Sequence, residues 1–239
     1  MQDDNQQKGA HVAGSSSRSR SRTQEKKRRQ PVSVQEIAQT ALRVLDAEGL
    51  EGLTMRRLAG EIGVQPMTLY RYLPDKEAIL AVVADLLWER LVDIPEGETW
   101  RERVRAGWLN MHGLMQEHPY AAPLIARAGT YSANAVTGTA RMVAILRDAG
   151  FSPELASEVM HSLGATVVGF AFASLWLRQS EAGRRPDAPA GEIPALSPDL
   201  VAFMQGIGPS EPRQFESALD MLLEGFRQRL EGERGAARP

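Results

Sequence analysis

The chain has 239 residues, 43% of them hydrophobic, a formal net charge of −2 and no cysteine. That length holds one large domain, or a small one joined to a larger one, with enough apolar content to bury a core. The missing cysteines exclude disulfides, thiolate metal sites and a cysteine nucleophile.

Charge is unevenly spread. Residues 1–30 carry eight Lys or Arg against three acids, a local +5 that leaves residues 31–239 at −7. This opening segment has almost no apolar content and includes the low-complexity run Ser15–Arg22. It is expected to be a disordered basic arm, since it cannot bury enough surface to offset ordering its backbone. Two readings stay open: a solvated tail, or an arm whose Arg18, Arg20, Arg22 and Lys26–Arg29 follow phosphates or enter a minor groove.

From Val34 to Glu48 the apolar residues Val34, Ile37, Ala38, Ala41, Leu42 and Leu45 share one helix face, with Ser33 as N-cap and Gly49 as the stop. Thr54 caps a second helix with Met55, Leu58, Ala59 and Ile62 inward, and Gly63 supplies a tight turn. Pro66 suits the first position of a third helix, where its missing N–H is harmless. Asp75 caps a fourth, with Ile79, Leu80, Val83, Leu86 and Leu87 inward, running to about Leu91. Two short helices about a glycine turn, the second left polar, aromatic and basic on its outer side, make a helix-turn-helix.

Beyond Pro95 the pattern stays helical: Trp100–Glu117, about Tyr120–Ala128, about Asn134–Ala149, and Pro153–Gln179, which is apolar nearly all round between Leu163 and Leu177. Residues 180–198 contain four prolines and read as a mobile loop. A last helix, about Glu211–Glu231, sets Phe215, Ala218, Leu219, Leu222, Phe226 and Leu230 on one stripe. No segment alternates as a strand does, so the expected fold is all-α. A three-helix DNA-binding head spans residues 31–91, and a larger helical domain spans 92–239. No apolar run reaches the roughly 20 residues of a membrane span. The N-terminus lacks the apolar stretch of a secretion signal. A cytoplasmic protein without a membrane partner is expected.

The block Val34–Leu91 resembles the DNA-binding head of TetR-type bacterial repressors. The resemblance rests on Gly49-Leu-Glu-Gly-Leu-Thr54, Leu58-Ala59, Ile62-Gly-Val64, Thr68-Leu-Tyr70 and Lys76. The C-terminal part resembles the tetracycline-repressor subgroup through His118-Pro119, Leu146-Arg-Asp-Ala-Gly-Phe151, the long apolar helix, the loop and the last amphipathic helix. It implies a homodimer, joined by a four-helix bundle of the last two long helices, on a two-fold symmetric double-stranded DNA operator. It also implies a small-molecule effector that releases the operator. Repression is the family's usual mode, although activation is not distinguishable from sequence.

By that resemblance Arg56 reaches a base edge and Gln65, Pro66, Met67 and Thr68 open the recognition helix. Thr54, Tyr70 and Lys76 match phosphate contacts, and Arg71 reaches phosphate or a guanine. An arginine can make two hydrogen bonds to guanine, and a glutamine can do the same to adenine. Arg56 and Arg57 point different ways, so only one of the pair is expected at DNA. Candidate ligand-lining residues are Trp108, Met111, His112, Met115, Met142, His161, Phe170 and Trp176, which suit a largely hydrophobic effector and equally suit a plain core. The subgroup's magnesium-binding histidine would fall near Ile125, and its other metal positions near Ala165 and Ala173. No cofactor or metal is therefore expected, and the effector should differ from tetracycline. Four scattered histidines without a phosphate loop offer no catalytic constellation. A scaffold that binds a protein partner instead of DNA is the remaining alternative.

Overall fold

The computed structural model describes residues 32–128, 132–181, 197–199 and 212–236. The basic arm and most of the proline-rich loop lie outside them. The nine helices described at length are α1 (Val34–Gly52), α2 (Met55–Ile62), α3 (Pro66–Tyr70), α4 (Lys76–Glu89), α5 (Trp100–Glu117), α6 (Ala121–Ala128), α7 (Ala133–Asp148), α8 (Pro153–Glu181) and α9 (Pro212–Ala236). There is no strand among the described residues.

Helix starts follow from short polar side chains that satisfy N–H groups with no partner inside the helix. Ser33 accepts from the Glu36 N–H at 3.0 Å, Thr54 from Arg57 at 3.1 Å and Asp75 from Ala78 at 2.8 Å. Thr99 and Glu102 close a reciprocal capping box at α5. α9 runs five residues beyond the expected Glu231. Its buried stripe is Phe215, Leu219, Leu223, Phe226 and Leu230, while Ala218 and Leu222 lie only half-buried at its edge.

α1 packs chiefly on α4, and Ile37, Ala41 and Leu45 of α1 and Ile79, Val83 and Leu87 of α4 are all buried in the core. Near its end α1 kinks at Gly49 (φ 73°, ψ −175°), a backbone region essentially reserved for glycine. A Cβ there would lie 2.5 Å from the Tyr120 hydroxyl oxygen, so glycine also lets the start of α6 close onto α1. Beside it, His118 Nδ1 sits 2.8 Å from Asp46 Oδ2, and Arg90 bridges to Glu117 at 2.7 Å.

α5, α7, α8 and α9 enclose the larger core, with Val104, Leu146, Leu155, Val159, Leu163 and Phe215 almost fully buried. Arg105 fastens α5 to α9 by pairing with Asp220 at 2.8 Å and Glu216 at 3.0 Å. α8 differs from the expectation in length. It runs to Glu181, two residues past the expected Gln179, and within Pro153–Trp176 an 18-residue window with mean hydropathy 1.4 is apolar enough by composition to match a membrane span.

Candidate nucleic-acid interface and ligand cavity

α2 ends at Gly63, whose left-handed backbone (φ 77°, ψ 39°) turns the chain. The N–H groups of Gly63 and Val64 both reach the Ala59 carbonyl, at 2.8 and 2.9 Å. Pro66 then starts α3 at its first turn. Leu69 and Leu73 are buried and anchor α3 and the turn after it to the core, which fixes what faces outward. Met67 is 72% exposed and Tyr70 46%, with Gln65 and Arg71 also exposed and Pro66 and Thr68 half-buried. Tyr72, which sequence reasoning did not single out, is exposed beside them.

The two adjacent arginines part company. Arg57 pairs with Glu48 at 2.8 Å and Glu61 at 2.6 Å, and its hydrogen bond holds the Glu61 carboxyl below its ordinary pKa. Arg56 is exposed and makes no ion pair among the described residues. Thr54 uses its oxygen as a helix cap and keeps a hydroxyl proton to donate. The Lys76 ammonium donates to the Leu50 carbonyl at 2.5 Å, so it also closes the end of α1.

A cavity of about 420 Å³ opens between α4, α5, α6, α7 and α8, lined by Trp88, Trp108, Met111, Ile125, Thr139 and Met160, with His161, Val167 and Val168 further round. A hollow of about 50 Å³ adjoins it, shares the walls Trp88, Trp108, Met111, Thr139 and Met160, and adds Leu91, Ile94 and Met142. Three glycines inside helices give this space: Gly107, Gly138 and Gly164. A Cβ at Gly107 would lie 2.6 Å from the Met142 terminal methyl. The indole Nε1 atoms of Trp88 and Trp108 are buried without a hydrogen-bond partner among the described residues. Each such orphan costs about 1–3 kcal/mol.

The far side of α8 carries a second run of exposed residues. Ala165, Gly169, Phe172, Ala173 and Trp176 are exposed, Trp176 by 63%, as are Met221 and Gly225 of α9.

Residues 37–83 match the family described as bacterial regulatory proteins, tetR family, and residues 94–230 match the tetracyclin repressor-like, C-terminal domain. The chain belongs to the TetR family. It is similar to the HTH-type transcriptional repressor DrrR1 of Streptomyces coeruleorubidus, 28% identical over 85% of this chain and 80% of that protein. It is 26% identical to the class E tetracycline repressor protein of Escherichia coli, over 84% of this chain and 93% of that one. Among solved structures it resembles the Streptomyces coelicolor TetR family protein ActR in complex with actinorhodin. That likeness has a TM-score of 0.68 and 28% identity, covering 83% of this chain and 96% of that one.

This TetR-family chain is thus a DNA-binding transcriptional regulator and not an enzyme. Of the eight residues put forward for the ligand, Trp108, Met111, Met142 and His161 line the cavity and its annex. His112 lies one helical step from Met111, turned toward α9, where it stacks on Phe215 with ring centroids 4.1 Å apart. Phe170 meets the same phenyl edge-on at 5.6 Å, Met115 is buried outside the cavity lining, and Trp176 faces outward. Ile125, near which the subgroup's metal-binding histidine falls, is a cavity wall. Among the described residues no group of three or more His, Asp or Glu could hold a metal ion.

Sequence reasoning missed Trp88, Thr139 and Met160. The inward face of α4 expected from the apolar pattern ends at Leu87, one residue short. A usable signal existed in Gly107, Gly138 and Gly164, since a glycine inside a helix costs about 1 kcal/mol and calls for a packing or functional reason.

Proposed function

We propose that this TetR-family regulator is a cytoplasmic homodimeric repressor, released from a palindromic operator by a small, largely hydrophobic ligand. Residues 31–91 would read DNA and residues 92–239 would bind the ligand and the second copy. Arg56 and the Gln65–Thr68 stretch supply sequence preference, while Thr54, Tyr70, Arg71 and Lys76 supply phosphate contacts. The ligand occupies the cavity walled by Trp108, Met111, Met142 and His161 together with Trp88 and Met160. The second copy packs on the exposed apolar residues of α8 and α9.

The observation that carries this reading is the double duty of α4. Its buried face packs on α1 of the helix-turn-helix, and Trp88 near its end walls the cavity. A ligand that binds more tightly to one tilt of α4 shifts the population toward that tilt. In a dimer it thereby changes the spacing of two heads that must meet major grooves roughly 34–36 Å apart. The relatives agree in kind: DrrR1 is named a repressor, and ActR was solved with actinorhodin bound.

The test is fluorescence anisotropy of the full-length protein on its own upstream DNA and on a scrambled duplex, at two salt concentrations. Wild type should prefer the upstream DNA, and Arg56→Ala should relax that preference. Equal binding to both duplexes at both salts, or a preference that Arg56→Ala leaves untouched, would overturn the assignment of the reading head.

A further inference from the structure

We infer that His118 is the positioning residue that sets the tilt of the DNA-reading head, through an imidazole that holds α1 and the end of α4 at once. Its consequence for DNA rests on the proposed function, in which two such heads meet one operator; the contact itself does not.

The head has few other ties to the larger domain. Among the described residues α1 packs on α2 and α4, and α2 on α3, but none of these three helices packs extensively on α5 to α9. α4 alone serves both sides, since it also packs on α6 and α7. One connection leaves the head free to turn about it. A second connection away from that axis fixes the tilt.

His118 supplies the second connection, and its backbone is tied on both sides. Its N–H donates to the Leu114 carbonyl at 2.9 Å and closes α5, while its carbonyl accepts from the Ala121 N–H at 2.8 Å where α6 begins. The side chain is only 16% exposed. Arg90, the C-cap of α4, places Nη1 2.9 Å from His118 Nε2 and donates through Nη2 to Glu117 Oε2 at 2.7 Å. A guanidinium has no acceptor, so Nε2 must accept from it. The neutral ring then carries its proton on Nδ1, which donates to Asp46 Oδ2 at 2.8 Å. One ring thus joins a carboxylate of the head to a cation at the end of α4. Three residues along α1, Gly49 admits the Tyr120 hydroxyl, so α1 and the start of α6 meet closely at the same place.

The tilt can be read directly, because the chain has no cysteine of its own to compete with introduced labels. Gly60 on α2 and Gly113 on α5 are exposed, and a Cβ at either would meet nothing within 4 Å. Spin labels on Gly60→Cys and Gly113→Cys report the head-to-body distance by double electron–electron resonance. The labelled full-length protein is diluted by subunit exchange into an excess of unlabelled protein, so that only distances inside one protomer count. His118→Phe keeps a ring and loses both bonds. Asp46→Ala loses one, and its side chain is 29% exposed, so it carries the test if His118→Phe does not fold. Both should broaden or shift the distance distribution. Asp46→Asn, whose amide oxygen still accepts from Nδ1–H, should leave it as in the parent.

The same variants without labels are compared by anisotropy on the upstream duplex and on one with a single base pair inserted at its dyad. Wild type should prefer the uninserted duplex. His118→Phe and Asp46→Ala should each lose about 5-fold of that preference, as expected for a hydrogen bond that only one tilt satisfies. His118 has no positioning role if both variants keep the parent's distances, or if Asp46→Asn does no better than Asp46→Ala. Altered distances with an intact spacing preference overturn the role too, since that tilt would not be the one presented to DNA. If wild type prefers neither duplex to a scrambled one, the proposed function fails, and the distances alone decide for or against the contact.

Discussion

Two surfaces of this protein expose large apolar side chains, and their surroundings differ. On the recognition helix and the turn after it, Met67, Tyr70 and Tyr72 stand with the exposed Gln65 and Arg71, and Arg56 on α2 is exposed with no ion pair among the described residues. On α8 and α9, Phe172, Trp176 and Met221 stand among Ala165, Gly169, Ala173 and Gly225. Apolar groups interleaved with long polar and basic ones suit thymine methyls and phosphates in a groove. Apolar groups beside small residues suit the close approach of another helix, where area and fit decide. Exposure alone therefore names no partner; the chemistry within one helical turn of the exposed residue does.

Breaking the α8–α9 surface should have the largest effect. Buried aromatic anchors at interfaces commonly contribute about 2–4 kcal/mol each. The double substitution Phe172→Glu with Trp176→Glu should turn the protein into a monomer in sedimentation velocity and abolish tight operator binding. Met67→Ala should leave sedimentation unchanged and weaken only the DNA complex. If the glutamate variant still sediments as a dimer, the second copy packs elsewhere.

Gly49→Ala leaves both surfaces intact and tests what holds the head to the body. The backbone there costs a non-glycine residue about 1–3 kcal/mol, and the methyl would overlap Tyr120. For a chain of this size the melting temperature should fall by about 2–4 °C per kcal/mol. Adding Tyr120→Ala should relieve the overlap without removing the backbone strain, so recovery would be partial. A wild-type melting temperature for Gly49→Ala would show that the kink is not needed.

The head was legible in the sequence because its information is local. Ser33, Thr54, Asp75 and Gly63 each act on residues within four positions, so spacing alone placed α1 to α4 and the outward side of α3. The cavity was only half legible. Trp108 and Met111 face it while His112, one step on, faces Phe215, and a sequence shows that the three share a helix without showing which neighbour each meets. Sequence puts Trp176 with the cavity residues because an apolar helix reads alike on every side. Only the packing of α5, α6, α7 and α9 decides which side of α8 is closed.

Within the head, the two arginines offer a sharper contrast at smaller cost. Arg56→Ala should lose about 1–3 kcal/mol of discrimination between operator and scrambled duplex. Arg57→Ala should leave that discrimination intact and change stability little, since its pairs with Glu48 and Glu61 are largely solvent-screened. The reverse pattern would exchange their roles.

The smallest effect concerns pH and belongs to neither surface. His112 is 4% exposed, stacks on Phe215, and has Nε2 within 3.2 Å of the Gln116 side-chain amide, so it accepts there and is neutral. Burial holds its pKa below the ordinary 6.5, with the charge of Glu216 working the other way. Below pH 6.5 the unfolded chain takes up a proton that the folded chain refuses. Stability contributed by this group is therefore complete above that pH and declines as the pH falls toward the depressed folded value. Carboxylates such as Asp220 and Glu224, held low by Arg105 and Arg227, lose their contribution only in more acid solution, below 3.8 and 4.5 respectively. The two processes occupy separate windows. Chemical denaturation between pH 7.5 and 5.5 should show wild type losing stability on the acid side and His112→Gln, which keeps an acceptor for Gln116, losing less. Parallel profiles for the two proteins would mean that some other group carries the proton, and that the neutral histidine between α5 and α9 is there for its shape.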